Sequence, residues 1–342
     1  MGERVRFLAI LTVRNEGAFL IEWLAYHRRI GFTDFLVFSN DCTDGTDAML
    51  DRLAEMGWLT HVRNPGPHEK GAHFSALRLA DQHPLYQDAD WAAVLDIDEF
   101  LCVHVGDRSI GALLQALPQT DAVTLTWRMF GNAGRVQQSD VPVTERFLLA
   151  APSVLYWPWR AQMFKSLVRP ALCPRLGIHR PTETLPGLRW HDGSGRALPG
   201  GPARLFSPLG QDNLGLVQLN HYALGSMEGY VLKCDRGRAN RAAAGFDAGY
   251  WVERNFNAVT DRSALAIHSQ PLRAELQADP VLKDLHAAAF RWRQTRFRQL
   301  MQEEPWRALF GRLLLAPPSR LLTPEQARLI HKHVEEPVHD PS

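Results

Sequence analysis

The sequence predicts an α/β fold with a mostly parallel sheet, flanking helices and a C-terminal helical segment. Between residues 5 and 130, apolar runs of strand length alternate with stretches whose apolar residues recur at helical spacing. Alternation of this kind is typical of βαβ units, which build parallel sheets. From residue 264 onward the spacing is helical alone.

The predicted elements follow one another at short intervals. Strands are expected at residues 5–13, 34–40, 58–62, 91–95 and 121–130. The first two helices are expected to end at Gly31 and Gly57, and two more to span about 71–82 and 109–117. Beyond about residue 133 the alternation stops. We therefore expect one domain at residues 1–240 and a mostly helical extension, docked on it, at 241–342.

Composition and charge exclude several classes of protein. The chain is 45% apolar and 22% charged, as soluble globular proteins are, and its net charge of +1 gives no general attraction to nucleic acid. It has no apolar stretch of about 18 residues that would span a membrane, and a strand-like run begins too early to leave room for a signal peptide. The four cysteines form no CxxC pair, which predicts a reducing, cytoplasmic location.

Three carboxylates follow a buried strand within four residues. The apolar run at 91–95 leads directly into Asp96, Asp98 and Glu99. Acids this close repel one another and lose hydration unless a cation lies between them. A hard divalent ion with oxygen ligands is the simplest such partner. The alternative is an acidic turn after a core strand.

Polar residues also follow the first two predicted strands, as Asn15 with Glu16 and as Asn40 with Asp41. In open parallel sheets the ligand crevice lies outside the carboxyl ends of the strands. Three polar clusters are therefore expected to converge on one crevice, and this convergence is the main functional signal of the sequence.

Short motifs occur in a fixed order along residues 5–240. They are TVRNE at 12–16, EWLAYH at 22–27, GF at 31–32, SNDCTDGT at 39–46, DIDEF at 96–100, WRMFGNAG at 127–134, KSLVRP at 165–170 and NHY at 220–222. This ordered set resembles the family-2-like glycosyltransferases, most closely the branch that also looks like family 92. As a set it is far more specific than any single motif.

The resemblance implies a GT-A fold for residues 1–240, with a Rossmann-like sheet that binds a nucleotide sugar and a divalent ion, manganese or magnesium. Asp96 and Asp98 would form the metal site, with Asp98 as direct ligand and Asp96 on the ribose or a metal-bound water. The nucleotide pocket would be lined by Thr12, Asn15, Glu16, Asn40 and Asp41. The implied activity is metal-dependent transfer from a UDP-sugar to a hydroxyl of a glycan or other acceptor, with inversion.

An inverting transfer needs a carboxylate that takes the proton of the acceptor hydroxyl. Glu145 comes closest to the position where members of the resembled family carry an acid after the Phe-Gly turn. The alternatives are Asp140, Glu183 and Asp192. Glu99 either orients the aspartates or is a solvated acid.

Several other polar residues have two interpretations. His221 completes the metal shell by resemblance, whereas an isolated histidine is more often packed in a core. Asp41 and Asp44 have an Asx-turn or helix cap as their alternative role, which is favoured for Asp44. A basic segment either neutralises diphosphate oxygens or is a solvated helix face, and it contains Lys233, Arg236 and Arg238.

Two other functions and one surface property stay open in the sequence. A nucleotidyltransferase is expected to have a glycine-rich, basic phosphate-binding loop after the first strand, and residues 14–17 match such a loop poorly. A non-catalytic module that binds a sugar or nucleotide would need no base. The apolar stripe at 282–301 has arginines around the helix, which favours a docked helix over a membrane-surface one, and peripheral membrane contact stays open.

Overall fold

The structure is a computed structural model that describes residues 5–69, 71–237 and 248–335. Its strands are β1 (Phe7–Val13), β2 (Asp34–Ser39), β3 (Thr60–Arg63), β4 (Trp91–Leu95), β5 (Glu99–Val103), β6 (Ala122–Met129), β7 (Leu149–Ala150), β8 (Phe164–Val168), β9 (Trp190–His191), β10 (Ala197–Leu198), β11 (Val217–His221) and β12 (Val259–Thr260).

The α-helices flank these strands and fill the C-terminal part. They are α1 (Gly17–Arg29), α2 (Thr46–Glu55), α3 (Ala72–Asp81), α4 (Pro84–Gln87), α5 (Ile110–Ala116), α6 (Val143–Arg146), α7 (Met227–Arg236), α8 (Ala248–Val252), α9 (Gln270–Ala278), α10 (Pro280–Leu300), α11 (Glu304–Leu315) and α12 (Pro324–Glu335). Short 3₁₀ helices lie at Trp159–Gln162, Pro170–Leu172 and Ser263–Ile267.

Within the described residues, ten strands form one central sheet. Its core is four parallel strands in the order β3-β2-β1-β4. Strand β8 lies between β4 and β6 and runs antiparallel to both, while β11 pairs in parallel with β6 and antiparallel with β5. Strands β7 and β12 pair separately. The predicted α/β class with a mostly parallel sheet and flanking helices is confirmed.

The sheet differs from the sequence prediction at two places. Strand β5 begins at Glu99, directly after the acidic turn, where no strand was expected. Strand β8 lies between β4 and β6, a position that the predicted βαβ units did not include. Both strands pair with segments far along the chain, so no local alternation of strand and helix announces them.

The C-terminal helices pack on the first two helices of the chain. Helices α9 and α10 contact α1, and α10 also contacts α2. Their buried Leu276, Leu282 and Ala289 belong to the same core as the apolar face of α1. An ion pair joins Arg52 of α2 to Asp279 at the start of α10, at 2.6 Å. A search of the described residues for a helix able to cross a membrane finds none.

Candidate active site

The turn between β4 and β5 carries Asp96 and Asp98, and Glu99 is the first residue of β5. Strand β4 ends at Leu95, and the Glu99 N–H donates to the Asp96 carbonyl oxygen at 3.0 Å. The indole N–H of Trp23 lies 3.2 Å from the same oxygen and 3.1 Å from the carbonyl oxygen of Glu99. The acidic turn is therefore anchored to helix α1.

Asp96 belongs to a buried charge cluster with Lys165 and Glu99. The Lys165 Nζ lies 3.0 Å from Asp96 Oδ2 and 3.8 Å from Glu99 Oε2, and both Lys165 and Glu99 are fully buried. Glu99 accepts the Asp96 N–H at 2.8 Å and the Trp127 indole N–H at 2.6 Å. The burial of Glu99 contradicts its interpretation as a solvated acid, and its bond from the Asp96 N–H is a contact that the orienting role requires.

Asp98 lies between Lys233 and His221. The Lys233 Nζ donates to Asp98 Oδ2 at 2.7 Å, and His221 Nε2 lies 3.6 Å from Asp98 Oδ1. Strand β11 brings His221 to the site because it pairs with Glu99 in the antiparallel register with β5. Lys233 follows on α7 and is largely buried. It is therefore not part of a solvated helix face.

Burial and neighbouring charges set the protonation of this cluster. Burial lowers the pKa of His221 against the attraction of Asp98, so the imidazole is neutral at neutral pH. Burial alone would raise the pKa of Asp98, but the Lys233 ammonium at 2.7 Å holds it well below its usual range. The pKa of Asp96 is lowered in the same way, since Lys165 outweighs burial. Burial raises the pKa of Glu99 well above its usual range.

The loops after β1 and β2 are tied to each other and to α7. The Thr43 N–H donates to Asn15 Oδ1 at 2.7 Å, and Asn15 has a positive φ of 54°. The carboxylate of Glu16 pairs with the guanidinium of Arg236. The third predicted basic residue, Arg238, lies outside the described residues.

The other predicted nucleotide-pocket residues have backbone partners of their own or lie within β1. Asn40 is buried, and its Nδ2 donates to a backbone carbonyl of β1 at 2.9 Å. Asp41 is exposed and accepts a backbone N–H of the loop after β3 at 3.2 Å. Thr12 is half-buried on β1. Asp44 accepts the N–H two residues on at 2.9 Å, which is the Asx-turn that was favoured for it.

A cavity of about 310 Å³ opens beside Asp98. Some of the predicted site residues line it, namely Asn15, Glu16, Asp98, Lys233 and Arg236. Others lie outside its lining, namely Thr12, Asn40, Asp41, Asp96, Glu145 and His221. Helix α10 contributes His286, Phe290 and Arg293 to the wall. The crevice at the strand ends is therefore bounded in part by the C-terminal segment.

The acids considered as catalytic base lie in different surroundings. Glu145 is exposed and pairs with an arginine of α9 at 2.8 Å. Glu183 and Asp192 each pair with a neighbouring arginine. Asp140 lines the cavity, with its Oδ1 2.6 Å from Nε2 of His286. Among these four acids, Asp140 is the one in the cavity wall.

Comparison with known families decides where this chain belongs. The family model for glycosyltransferase family 92 matches residues 11–194, which is more than half of the sequence. The chain belongs to glycosyltransferase family 92. Membership confirms the resemblance and, together with the strand order of the sheet, the predicted GT-A type of fold. The matched segment contains Asp96, Asp98 and Lys165, whereas His221 and Lys233 lie beyond it.

Individual relatives share part of the chain. A glycosyltransferase family 92 protein of Oryza sativa subsp. japonica is 29% identical over 171 residues, 48% of this chain and 27% of that protein. Another, of Ricinus communis, is 30% identical over 109 residues, 31% of this chain and 19% of that protein. The chain thus spans about a quarter or less of the length of these relatives. Among solved structures, S. aureus TarS 1–349 is 17% identical with a TM-score of 0.31, over 49% of this chain and 48% of that chain.

The residues beside Asp98 suit a divalent ion in this family 92 protein. A carboxylate and a neutral imidazole, that of His221, are donor types that manganese accepts. No group of three or more His, Cys, Asp or Glu side chains that could hold a metal occurs in the described ranges. An ion held by one or two protein ligands and completed by substrate phosphates and water needs no such group. The donor set therefore fits an ion that binds together with phosphates.

Two residues of the site had no functional role in the sequence prediction. Lys165 is the one charged residue of the apolar strand β8, and a lysine in such a strand is itself a signal, because lysine is rarely fully buried without a partner. Arg293 is one of several arginines spread around α10. Helical spacing alone does not show which of them faces a cavity.

Proposed function

We propose that this family 92 protein is a metal-dependent glycosyltransferase that moves a sugar from a UDP-sugar to a hydroxyl acceptor with inversion. The observation that carries the proposal is Asp98, an ionised carboxylate that lines the cavity between the cationic Lys233 and the neutral His221. This arrangement lies at the carboxyl end of β4, where ligands bind in open α/β sheets.

The proposed roles follow from the contacts. Asp98 and His221 would hold the divalent ion, which when bound offsets negative charge on the leaving diphosphate. Lys233 adds a positive charge at the same carboxylate and is fixed by its 2.7 Å contact with Asp98. Asp96 stays ionised beside Lys165, so it is available to accept a hydrogen bond from the ribose or from water.

The donor nucleotide is proposed to lie along the loops after β1 and β2. Asn15 and Glu16 reach the cavity, and the Asn15 side chain connects the two loops. Thr12, Asn40 and Asp41 remain proposed contacts of the nucleotide base and ribose. The uridine preference rests on the family resemblance.

Asp140 is the acid that the geometry favours as proton acceptor, because it lines the same cavity as Asp98 while Glu145 does not. Its 2.6 Å contact with His286 fixes the orientation of the carboxylate. A carboxylate so placed takes the proton of an acceptor hydroxyl as the new glycosidic bond forms. Family membership favours this reaction over nucleotidyl transfer, and a cavity that holds such an acid favours an enzyme over a binding module.

Asp98→Asn tests the proposal. We expect manganese to increase the thermal stabilisation of the wild-type protein by UDP, since a ligand that binds only the folded state raises the melting temperature by mass action. Asp98→Asn should lose the manganese-dependent part of that shift.

The matched control is Asp88→Asn, an exposed acid whose carboxylate lies 3.7 Å from Arg6, and it should behave as wild type. An unchanged manganese dependence of UDP binding in Asp98→Asn would show that the metal site is elsewhere and would remove the basis of the proposal.

A further inference from the structure

Arg293 is a buried cation that faces the cavity. Its side chain belongs to α10 and is only 9% exposed. The guanidinium carbon lies 4.7 Å from the centre of the Phe19 ring, and the residue lines the cavity wall. Among the described residues no hydrogen bond and no ion pair within 4.0 Å is found for its guanidinium, and the carboxylate that attracts it from farther away is that of Asp44.

Close packing of α10 against α1 places Arg293 there. Gly17 begins α1, and a Cβ at this position would lie 3.0 Å from the Cβ of Ala289 and 3.1 Å from the Met49 sulfur. The absence of a side chain at Gly17 lets α10 approach the start of α1 closely. Arg293 lies four residues beyond Ala289, on the same face of the helix. It is thereby held over the cavity at the point where β1 ends.

A second cation, Arg236, lies near Arg293, and little negative charge balances the two. Burial lowers the pKa of Arg293 to about 10 against the attraction of the buried Asp44 carboxylate, so Arg293 remains charged at neutral pH. The pKa of Arg236 is also lowered to about 10, first by burial and then by repulsion from Arg293. Arg236 pairs with Glu16, whereas no ion pair of this kind is found for Arg293 in the part of the chain that the structure describes. An unpaired buried charge is unfavourable, and it is typically kept where a ligand supplies the counter-charge.

We propose that Arg293, together with Arg236, forms a phosphate-binding subsite in the wall of the cavity. A guanidinium binds two oxygens of a phosphate at once, and its planar fork gives both strength and orientation. The phosphate belongs either to the donor diphosphate or to an anionic acceptor, and this identification of its carrier rests on the proposed function. Arg293 lies outside the segment that matches the family model, so the subsite is built by the C-terminal segment.

The test measures binding of inorganic pyrophosphate by calorimetry without divalent metal, in Arg293→Met and in the control Arg291→Met. Arg291 is exposed on the same helix. We expect Arg293→Met to bind pyrophosphate with an affinity at least about tenfold lower than that of wild type, as for loss of a charge-assisted hydrogen bond. The affinity of Arg291→Met should equal that of wild type. Arg293→Lys keeps the charge without the fork and should be intermediate.

A structural role predicts the opposite effect on stability. Methionine keeps the packing on Phe19 and removes an unpaired charge, so the ligand-free Arg293→Met protein should melt at or above the wild-type temperature. The inference is overturned if Arg293→Met melts well below wild type, if it binds pyrophosphate as wild type does, or if wild type binds no pyrophosphate.

The carrier of the phosphate is identified by competition. If Arg293→Met weakens UDP binding in manganese to the same extent, the phosphate is that of the donor. If UDP binding is unchanged and pyrophosphate still binds to UDP-saturated protein, the phosphate is that of the acceptor. The two proposals can fail independently. If the proposed function is wrong, Asp98→Asn keeps metal-dependent UDP binding, and this outcome does not affect the pyrophosphate binding measured without metal.

Discussion

Removal of Lys165 should destabilise the fold in a pH-dependent manner. Lys165→Met keeps the length of the side chain but takes away the only cation within 4.0 Å of both Asp96 and Glu99 in the described residues. At 3.0 Å from Asp96, the attraction of two unit charges is about 5–6 kcal/mol for an effective dielectric constant of ~20. The variant also avoids the desolvation cost of a buried ammonium, and this saving offsets part of the lost attraction. We expect a net loss of about 3–5 kcal/mol in the free energy of unfolding at pH 7.5.

The loss should shrink as the pH falls. In the wild type the pKa of Asp96 is lowered, so its stabilising contribution is lost only as pH falls through a value below 3.8. Without Lys165, partial burial and the nearby Asp98 carboxylate would raise the pKa of the Asp96 carboxyl above that of the unfolded chain. The folded variant would then bind a proton more readily than the unfolded one as pH falls from 7.5 to 5.5, which recovers stability.

Urea denaturation of wild type and Lys165→Met at pH 7.5 and 5.5 measures both effects, with exposed Lys283→Met of α10 as the matched control. Lys283→Met should change the free energy of unfolding by less than about 0.5 kcal/mol. A loss below about 1 kcal/mol at pH 7.5, or one that is equal at both pH values, would refute the charge cluster as the reason that Lys165 is buried.

Two further predictions concern the cavity and its edge. His221→Ala should weaken manganese affinity by about tenfold or more with little change in the melting temperature of the metal-free protein, measured by manganese titration and thermal melting. A large loss of stability at unchanged manganese affinity would mark His221 as a packed core residue. Asp140→Asn should lower kcat by about 100-fold or more, whereas Glu145→Gln should leave turnover near wild type. The reverse order in a sugar-transfer assay would restore Glu145 as the base.

The sequence alone was sufficient for the elements whose signal is local. The run at 91–95 is a strand with those bounds. The predicted strand at 34–40 is one residue longer than β2 at one end, and the predicted strand at 121–130 is one residue longer than β6 at each end. A continuous apolar run of this length predicts a strand that is buried on both faces of a sheet, and the run can be recognised from its own residues alone. The rule that ligands bind at strand carboxyl ends then pointed to Asp98 without any knowledge of its partners.

Pairings between distant segments were beyond the sequence. Strand β5 exists because β11 returns to pair with it, and that pairing places His221 beside Asp98. Lys165 reaches Asp96 because β8 inserts between β4 and β6. Each contact joins segments that are far apart in the chain, and the local sequence of one segment does not indicate which distant segment it will pair with.

The sequence by itself determined the α/β class, the positions of the first strands along the chain and the acids that follow β4, because periodicity and strand length are encoded locally. Only the tertiary structure decided which cations meet those acids. Lys165, Lys233 and Arg293 look alike in the sequence as charged residues of apolar or amphipathic segments. Their roles differ because packing buries Lys165 and Lys233 against carboxylates and leaves Arg293 facing a cavity.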